Sequence, residues 1–191
     1  LRGQEPVARK LDSIAHTSRD LLKSLDEIVW AVKPNNDTLE HLAAYLGQYV
    51  TEYFQNTPVE CDLRIARGLP HYPLSAEIRH NLFLAFEEAL NNALKHGRPA
   101  LVQVTMGLAG NRFEIKVEDN GCGFDPAALA LAAAAAGPAA PTKRGGNGLL
   151  NIRQRLADVG GQCFIRSQPG KGTTVILSIV LEAVRTPGRR R

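Results

Sequence analysis

Glu88, Asn92, Lys95 and His96 stand at i, i+4, i+7 and i+8. On a helix the four fall within about 100° of one another around the axis. A carboxylate, an amide oxygen, an ammonium and an imidazole on one face suit a metal-bound polyphosphate. They supply a base, a ligand for a hard cation such as Mg²⁺, and donors to phosphate oxygens. Leu82, Phe86, Ala89, Leu90, Ala93 and Leu94 cover the other side. Any surface helix has one apolar and one polar face, so this pattern alone does not separate chemistry from a solvated flank.

Three glycine-bearing stretches follow. Asp119-Asn120-Gly121-Cys122-Gly123 closes a strand-like run. Its glycines let backbone turn tightly beside a ligand, and a carboxylate at a strand end can accept from an adenine amino group. Gly145-Gly146-Asn147-Gly148 precedes a helical pattern, where free amides and the helix N-terminus suit an anion such as phosphate. Gly170-Lys171-Gly172-Thr173-Thr174 reads equally well as a hairpin turn. Each stretch taken alone also fits a plain loop.

The elements that must hold these groups are legible in outline. Val7, Leu11, Ile14, Ser18, Leu21, Leu25, Ile28 and Val32 alternate spacings of four and three, an a/d seam on a long helix that Pro34 ends. So narrow a stripe predicts a partner helix, hence a bundle or coiled-coil dimer; an amphipathic helix lying on its own domain is the alternative. Asp37-Thr38-Leu39-Glu40 reads as a capping box opening a second helix, with Leu39, Leu42, Ala43, Leu46, Val50, Tyr53 and Phe54 on its apolar face and Pro58 at its close. Residues 59–65 alternate like a strand. Ser75 caps a third helix running to about His96, stopped by Gly97. Residues 101–108 and 113–118 form a hairpin around Gly110-Asn111. Residues 126–144 are an Ala/Pro low-complexity stretch, read as a mobile loop because Gly137, Pro138 and Pro141 break poly-alanine helix. A fourth helix covers 149–159, and strands cover 162–167 and 173–181. The fold class is therefore α+β: a two-layer sandwich of helices on one face of a mainly antiparallel sheet, preceded by a long helix.

Composition narrows the field. The chain has 191 residues, 44% apolar and 22% charged, as befits a folded domain, and no apolar run long enough to span a membrane. Its net charge of +4 resides in Arg185, Arg189, Arg190 and Arg191; without them 19 basic residues face 19 acidic ones. That placement argues against a nucleic-acid-binding surface. Cys61, Cys122 and Cys163 are widely spaced, which reads as reduced thiols in a cytoplasmic protein. The chain begins at Leu1 without a signal core, the expectation for a piece of a longer protein.

The order of the motifs is their strongest feature. A helix with E-x-x-x-N-x-x-K-H, a strand with D-x-G-x-G, a low-complexity gap, G-x-G before a helix, and G-x-G-T before a strand resembles the ATPase fold, the Bergerat type, shared by gyrase, Hsp-type chaperones, histidine kinases and mismatch-repair ATPases. The resemblance runs closest to sensor histidine kinases of the nitrate-sensor and desaturase-thermosensor kind. Residues 87–96 resemble their N box, 119–123 the G1 box, 146–155 the G2 box with its helix, and 26–34 the end of their second dimerisation helix. It covers essentially the whole chain apart from its two ends and the alanine-rich stretch.

That resemblance implies an ATP-binding catalytic core that transfers the γ-phosphoryl group to a histidine, for relay to a response regulator. It implies Glu88 as general base, Asn92 as Mg²⁺ ligand, Lys95 and His96 beside the phosphates, and Asp119 reading adenine with help from Thr173. Gly121 and Gly123 belong to the same nucleotide site; Gly146, Gly148 and Leu149 sit where residues 126–144, the ATP lid, meet the fourth helix. Asn92 is preferred to Asn91 because it alone lies a full turn from Glu88. The implied organisation is residues 1–34 as the second helix of an incomplete dimerisation bundle, 35–184 as the ATP-binding domain and 185–191 as a basic tail. The implied assembly is a homodimer through the 7–32 helix, cytoplasmic, with membrane anchoring expected only of a missing N-terminal part.

One departure matters. The family's acceptor is a histidine followed by an acidic residue. His16, His41, His71, His80 and His96 are followed by Thr17, Leu42, Tyr72, Asn81 and Gly97. None has the acceptor's context, so the acceptor helix is expected to be absent here. Two other readings remain: a module of the same fold that phosphorylates serine on a partner, disfavoured by the helix at 7–33, and a coiled-coil adaptor with a degenerate ATP site, disfavoured by intact Glu88, Asn92 and Asp119.

Overall fold

A computed structural model describes residues 37–128 and 148–182. The expected seam helix at 7–33, Gly146, most of the 126–144 stretch and the basic tail lie outside the described residues.

The first described helix, α1 (Leu39–Phe54), buries Leu39, Leu42, Ala43, Leu46, Val50 and Phe54 along one stripe. Its cap is Thr38, one residue later than the sequence reading placed it. The Thr38 hydroxyl accepts the His41 amide at 3.3 Å and lies 3.1 Å from His41 Nδ1. The capping position falls on Thr38 because the Leu74 amide bonds the Asp37 carbonyl and the Leu39 amide bonds the Tyr72 carbonyl, fixing the chain's approach.

Helix α2 (Ala76–Asn92) starts where expected, with Ser75 Oγ accepting the Ile78 amide at 3.2 Å. It does not run as α-helix to His96. Residues Ala93–Gly97 form a π turn, and Arg98 then adopts the left-handed conformation at φ 49 before Pro99. The proline disfavours right-handed helix at residue 98, so the chain must leave there. The widened turn was invisible to a reading that assumed 3.6 residues per turn.

Five strands form one sheet in the order β1-β2-β3-β5-β4. They are β1 (Glu60–Ile65), β2 (Leu101–Ala109), β3 (Arg112–Asp119), β4 (Gln162–Ser167) and β5 (Thr173–Val180). All neighbours run antiparallel except β1 and β2, which are parallel. Gly110 at φ 64 supplies the positive angle for the two-residue β2–β3 turn. Val102, Val104, Met106, Phe113, Ile115, Val117, Val175, Leu177 and Ile179 alternate toward one face, which α2 and α3 (Gly148–Asp158) cover with Leu82, Phe86, Leu90, Ile152 and Leu156. Phe86 and Phe113 are wholly buried, and truncating either to alanine is expected to cost about 3–5 kcal/mol. Every described site residue lies at one end of this sandwich: the end of α2 and the turn after it, the end of β3 and the loop after it, the start of β5 and the start of α3.

Candidate active site

Glu88 and Asn92 form the first part of the site. They lie one turn apart near the end of α2, both half-buried, and Asn92 Nδ2 donates to Glu88 Oε1 at 3.1 Å. This bond uses the amide nitrogen of Asn92 and leaves the acceptor capacity of Oδ1 unspent on Glu88. The N-terminus of α3 comes against the same pair: a β-carbon on Gly148 would lie 3.1 Å from both Asn92 Nδ2 and Glu88 Cδ, and closer still to Glu88 Oε1. Only a residue without a side chain fits there without displacing the carboxylate. Leu149, next along, is half-buried against the core.

Glu87 and Asn91 face the other way. Tyr49 Oη donates to Glu87 Oε1 at 2.8 Å, and Tyr53 Oη donates to Asn91 Oδ1 at 2.6 Å. Burial first, then the Glu87 and Glu88 carboxylates, raise the Tyr53 phenol above its usual range, keeping it a neutral donor. These two bonds join α1 to α2. Sequence reasoning missed both tyrosines; Tyr53 was read only as part of an apolar face.

Asp119 ends β3 and is half-buried. Burial raises its carboxyl above the ordinary range, against the downward pull of the Gly121 and Thr173 backbone amides. The Gly121 amide donates to Asp119 Oδ1 at 2.9 Å, and the Cys122 amide donates to the Gly97 carbonyl at 2.8 Å. The loop from Gly121 to Gly123 is thereby laid against the π turn that ends α2. A side chain on Gly121 would strike the Gly97 carbonyl, and Gly172, at φ 80, leaves no room for one beside the Asp119 carbonyl. Asn120 is a second residue the sequence reading passed over. Its Oδ1 accepts the Ala100 and Leu101 amides, both at 2.9 Å, which pins the loop to the start of β2.

Thr173 pairs directly with Asp119 across β3 and β5, and Ser167 pairs with Thr173 across β4 and β5. The three are in phase with Val117, Val175 and Ile165, so they share the helix-covered face at the open end of the sheet. Lys95 and His96 lie on the π turn, both exposed. Neither side chain bonds to Glu88 or Asn92 among the described residues, and the His96 backbone carbonyl accepts the Cys122 thiol at 3.1 Å. The structure thus brings Glu88, Asn92 and Gly148 together, and Asp119, Gly121 and Thr173 together, with the π turn between the two groups. At the beginning of the 126–144 stretch, residues 126–128 are helical and Asp125 Oδ1 accepts the Ala127 and Ala128 amides at 2.8 and 3.3 Å.

Residues 77–183, more than half of the chain, match the family described as histidine kinase-, DNA gyrase B- and HSP90-like ATPase. The chain belongs to this ATPase family. Its similarity to named kinases identifies it as the ATP-binding catalytic core of a sensor histidine kinase. It is 32% identical over 135 residues to the signal transduction histidine-protein kinase/phosphatase DegS of Brevibacillus brevis, covering 70% of this chain and 31% of that protein. It is 33% identical over 183 residues to a sensor-like histidine kinase of Chloroflexus aurantiacus, covering 95% of this chain and 29% of that protein. The nitrate/nitrite sensor protein NarX of Escherichia coli is 30% identical over 129 residues, covering 68% of this chain and 19% of that protein. The chain therefore spans about a third or less of these relatives. Among solved structures, the histidine kinase domain of an Erythrobacter litoralis blue-light activated kinase shares the fold with a TM-score of 0.54 and 21% identity, over 73% of this chain and 61% of that one. Full-length ShkA, solved with AMPPNP, does so with a TM-score of 0.60 and 17% identity, over 92% of this chain and 39% of that one.

Proposed function

We propose that the intact protein transfers the γ-phosphoryl group of ATP to a histidine of its own dimerisation bundle and then to an aspartate of a response regulator. In this reading residues 1–34 provide the second helix of that bundle, residues 35–184 the catalytic domain, and 185–191 a basic tail; the dimer forms through residues 7–32. The core works in the cytoplasm, and any membrane anchor belongs to a part outside these residues. Among the described residues no helix is long and apolar enough to cross a membrane.

The observation that carries the proposal is the bonded Glu88–Asn92 pair against Gly148, within the residues that match the ATPase family. Glu88 is a carboxylate able to accept the imidazole proton as the nucleophile attacks, and its bond from Asn92 fixes where that carboxylate points. Mg²⁺ suits this donor set. Among the described residues no three His, Cys, Asp or Glu side chains could hold a metal by themselves, and Mg²⁺ habitually takes one or two protein oxygens with the remainder from phosphates and water. Asn92 Oδ1 is the oxygen that would hold it; when bound, the ion offsets negative charge on the phosphates. Asp119 and Thr173 take the adenine end, and Lys95 and His96, projecting from the π turn, take the phosphates.

The test uses γ-labelled ATP with Mg²⁺. This chain should bind the nucleotide but acquire no acid-labile label, since none of its five histidines has an acceptor's context. Supplying a helix that bears the acceptor histidine and completes the bundle should produce acid-labile label on that helix, and Glu88→Gln should abolish it while sparing ATP binding. Acid-labile label on this chain alone, or transfer that survives Glu88→Gln, would overturn the assignment.

A further inference from the structure

Ser167 was not among the residues that the motifs singled out. It ends β4 and is half-buried, and its hydroxyl meets three neighbours. The Phe124 amide donates to Ser167 Oγ at 2.8 Å. The Gly172 carbonyl lies 3.0 Å from the same oxygen, and Thr173 Oγ1 lies 2.9 Å from it.

A serine hydroxyl has one proton and two lone pairs. The Phe124 N–H can only donate, so it occupies one lone pair. The Gly172 carbonyl can only accept, so it takes the proton. One lone pair remains, and Thr173 must donate its own hydroxyl proton into it. The direction of the Ser167–Thr173 bond is thereby fixed by the two neighbours on either side. Thr173 Oγ1 is left with lone pairs alone to offer to the open end of the sheet. Asp119, its cross-strand partner, is a carboxylate and when ionised likewise offers only acceptors.

Resting on the reading that Asp119 and Thr173 face the base of the nucleotide, we infer that Ser167 is a positioning residue for base selection: by holding the Thr173 proton away from the site, it makes the Asp119–Thr173 pair an all-acceptor edge. Such an edge matches a purine bearing an amino group at ring position 6, directly or through a water that donates to both oxygens. It mismatches a purine with a carbonyl there, because acceptor then faces acceptor. Without Ser167 the Thr173 hydroxyl is free to rotate, turn its proton into the site and donate to that carbonyl. Discrimination falls even though no atom that contacts the base has been changed.

Inosine triphosphate is the probe, since it differs from ATP only along that edge of the base, where a carbonyl replaces the amine and the adjoining ring nitrogen carries a proton. Competition titrations of ATP and inosine triphosphate on the full chain should give a preference for ATP that drops about tenfold in Ser167→Ala, the size of one reversed hydrogen bond. Ser167→Thr, which keeps the hydroxyl, should retain the parent's ratio. Ser167→Cys, with a weaker donor and acceptor of similar shape, should fall between; it serves as the readout where Ser167→Ala loses its fold. A general loosening of the β4–β5 end would lower both affinities together and leave the ratio alone. A parent chain that prefers ATP, paired with a Ser167→Ala or Ser167→Cys variant of unchanged ratio, overturns this inference. A parent that binds both nucleotides equally overturns the underlying assignment of Asp119 as well.

Discussion

Replacing Gly148 by alanine separates the demands of folding from those of the site. The added carbon would sit 3.1 Å from Glu88 Cδ and from Asn92 Nδ2, and closer to Glu88 Oε1. Non-bonded heavy atoms rest about 3.5 Å apart, so the nearer contact, to Glu88 Oε1, sets the demand and the carboxylate must withdraw by roughly an ångström or more. It is the end of a flexible side chain and can do so. The departure costs about 0.5–1.5 kcal/mol in rotamer strain and about 1 kcal/mol in the lost Asn92 bond. Alanine's better helix propensity offsets up to about 0.5–1 kcal/mol of this. Net stability therefore falls by about 0.5–2 kcal/mol, at most a few degrees of melting temperature. The site fares worse. Displacing both oxygen-bearing groups forfeits a contact to a charged ligand, about 1.5–3 kcal/mol, or roughly 10- to 100-fold in affinity for Mg²⁺·ATP. Thermal unfolding followed by calorimetric titration with and without Mg²⁺ measures both quantities. Gly172→Ala is the contrasting control, because its obstacle is the Asp119 backbone carbonyl and its φ is 80, neither of which can swing aside; it should fail to fold. A Gly148→Ala protein that binds Mg²⁺·ATP as the parent does would refute the reasoning, as would one that unfolds like Gly172→Ala.

Two further outcomes follow from the same geometry. Asp119 has its carboxyl raised by burial, so its ionised form opposes folding; as pH falls through that raised value the apo protein gains stability from this group. ATP binding, which needs the ionised acceptor, should weaken over the same interval, and Asp119→Asn, which does not titrate, should remove both trends from melting and binding curves taken between about pH 7 and pH 4. Asn92→Ala should lose the Mg²⁺-dependent part of ATP affinity along with about 1 kcal/mol of stability from its bond to Glu88, whereas Asn91→Ala should lower stability by about 1–2 kcal/mol, since it removes an acceptor of the Tyr53 hydroxyl, and leave the metal dependence intact. Equal losses of metal dependence from the two would remove Asn92 from its assigned place.

The features legible in the sequence were local ones. Ser75 announced a cap because its hydroxyl reaches an amide three residues on, and the alternation of residues 101–108 and 113–118 announced a hairpin because Gly110 supplies its turn. The end of α2 was legible only in part: Gly97 promised a stop, but nothing in the spacing of Ala93, Leu94 and Lys95 distinguishes five residues per hydrogen-bonded turn from four. The strand at residues 60–65 could be read, its parallel pairing with β2 could not, since alternation carries no direction. The residues that escaped, Asn120, Ser167, Tyr49 and Tyr53, act through partners brought in by the fold, and all four bond across gaps with no characteristic spacing. The Thr38 cap was displaced from Asp37 by bonds to Tyr72 and Leu74, which no local motif contains.

The two tyrosine bonds between α1 and α2 have a mechanical meaning. Tyr49 and Tyr53 are one turn apart, and so are Glu87 and Asn91, with the pairs matched in the same direction along both helices. A single bond between two rods leaves a pivot; two bonds a turn apart, about 6 Å along the axis, form a couple that resists twisting as well as sliding. Twisting α1 against α2 therefore strains both bonds at once. On α2 the next residues around the axis are Glu88 and Asn92. The two bonds thus tie the orientation of α1 to the part of α2 that carries the carboxylate.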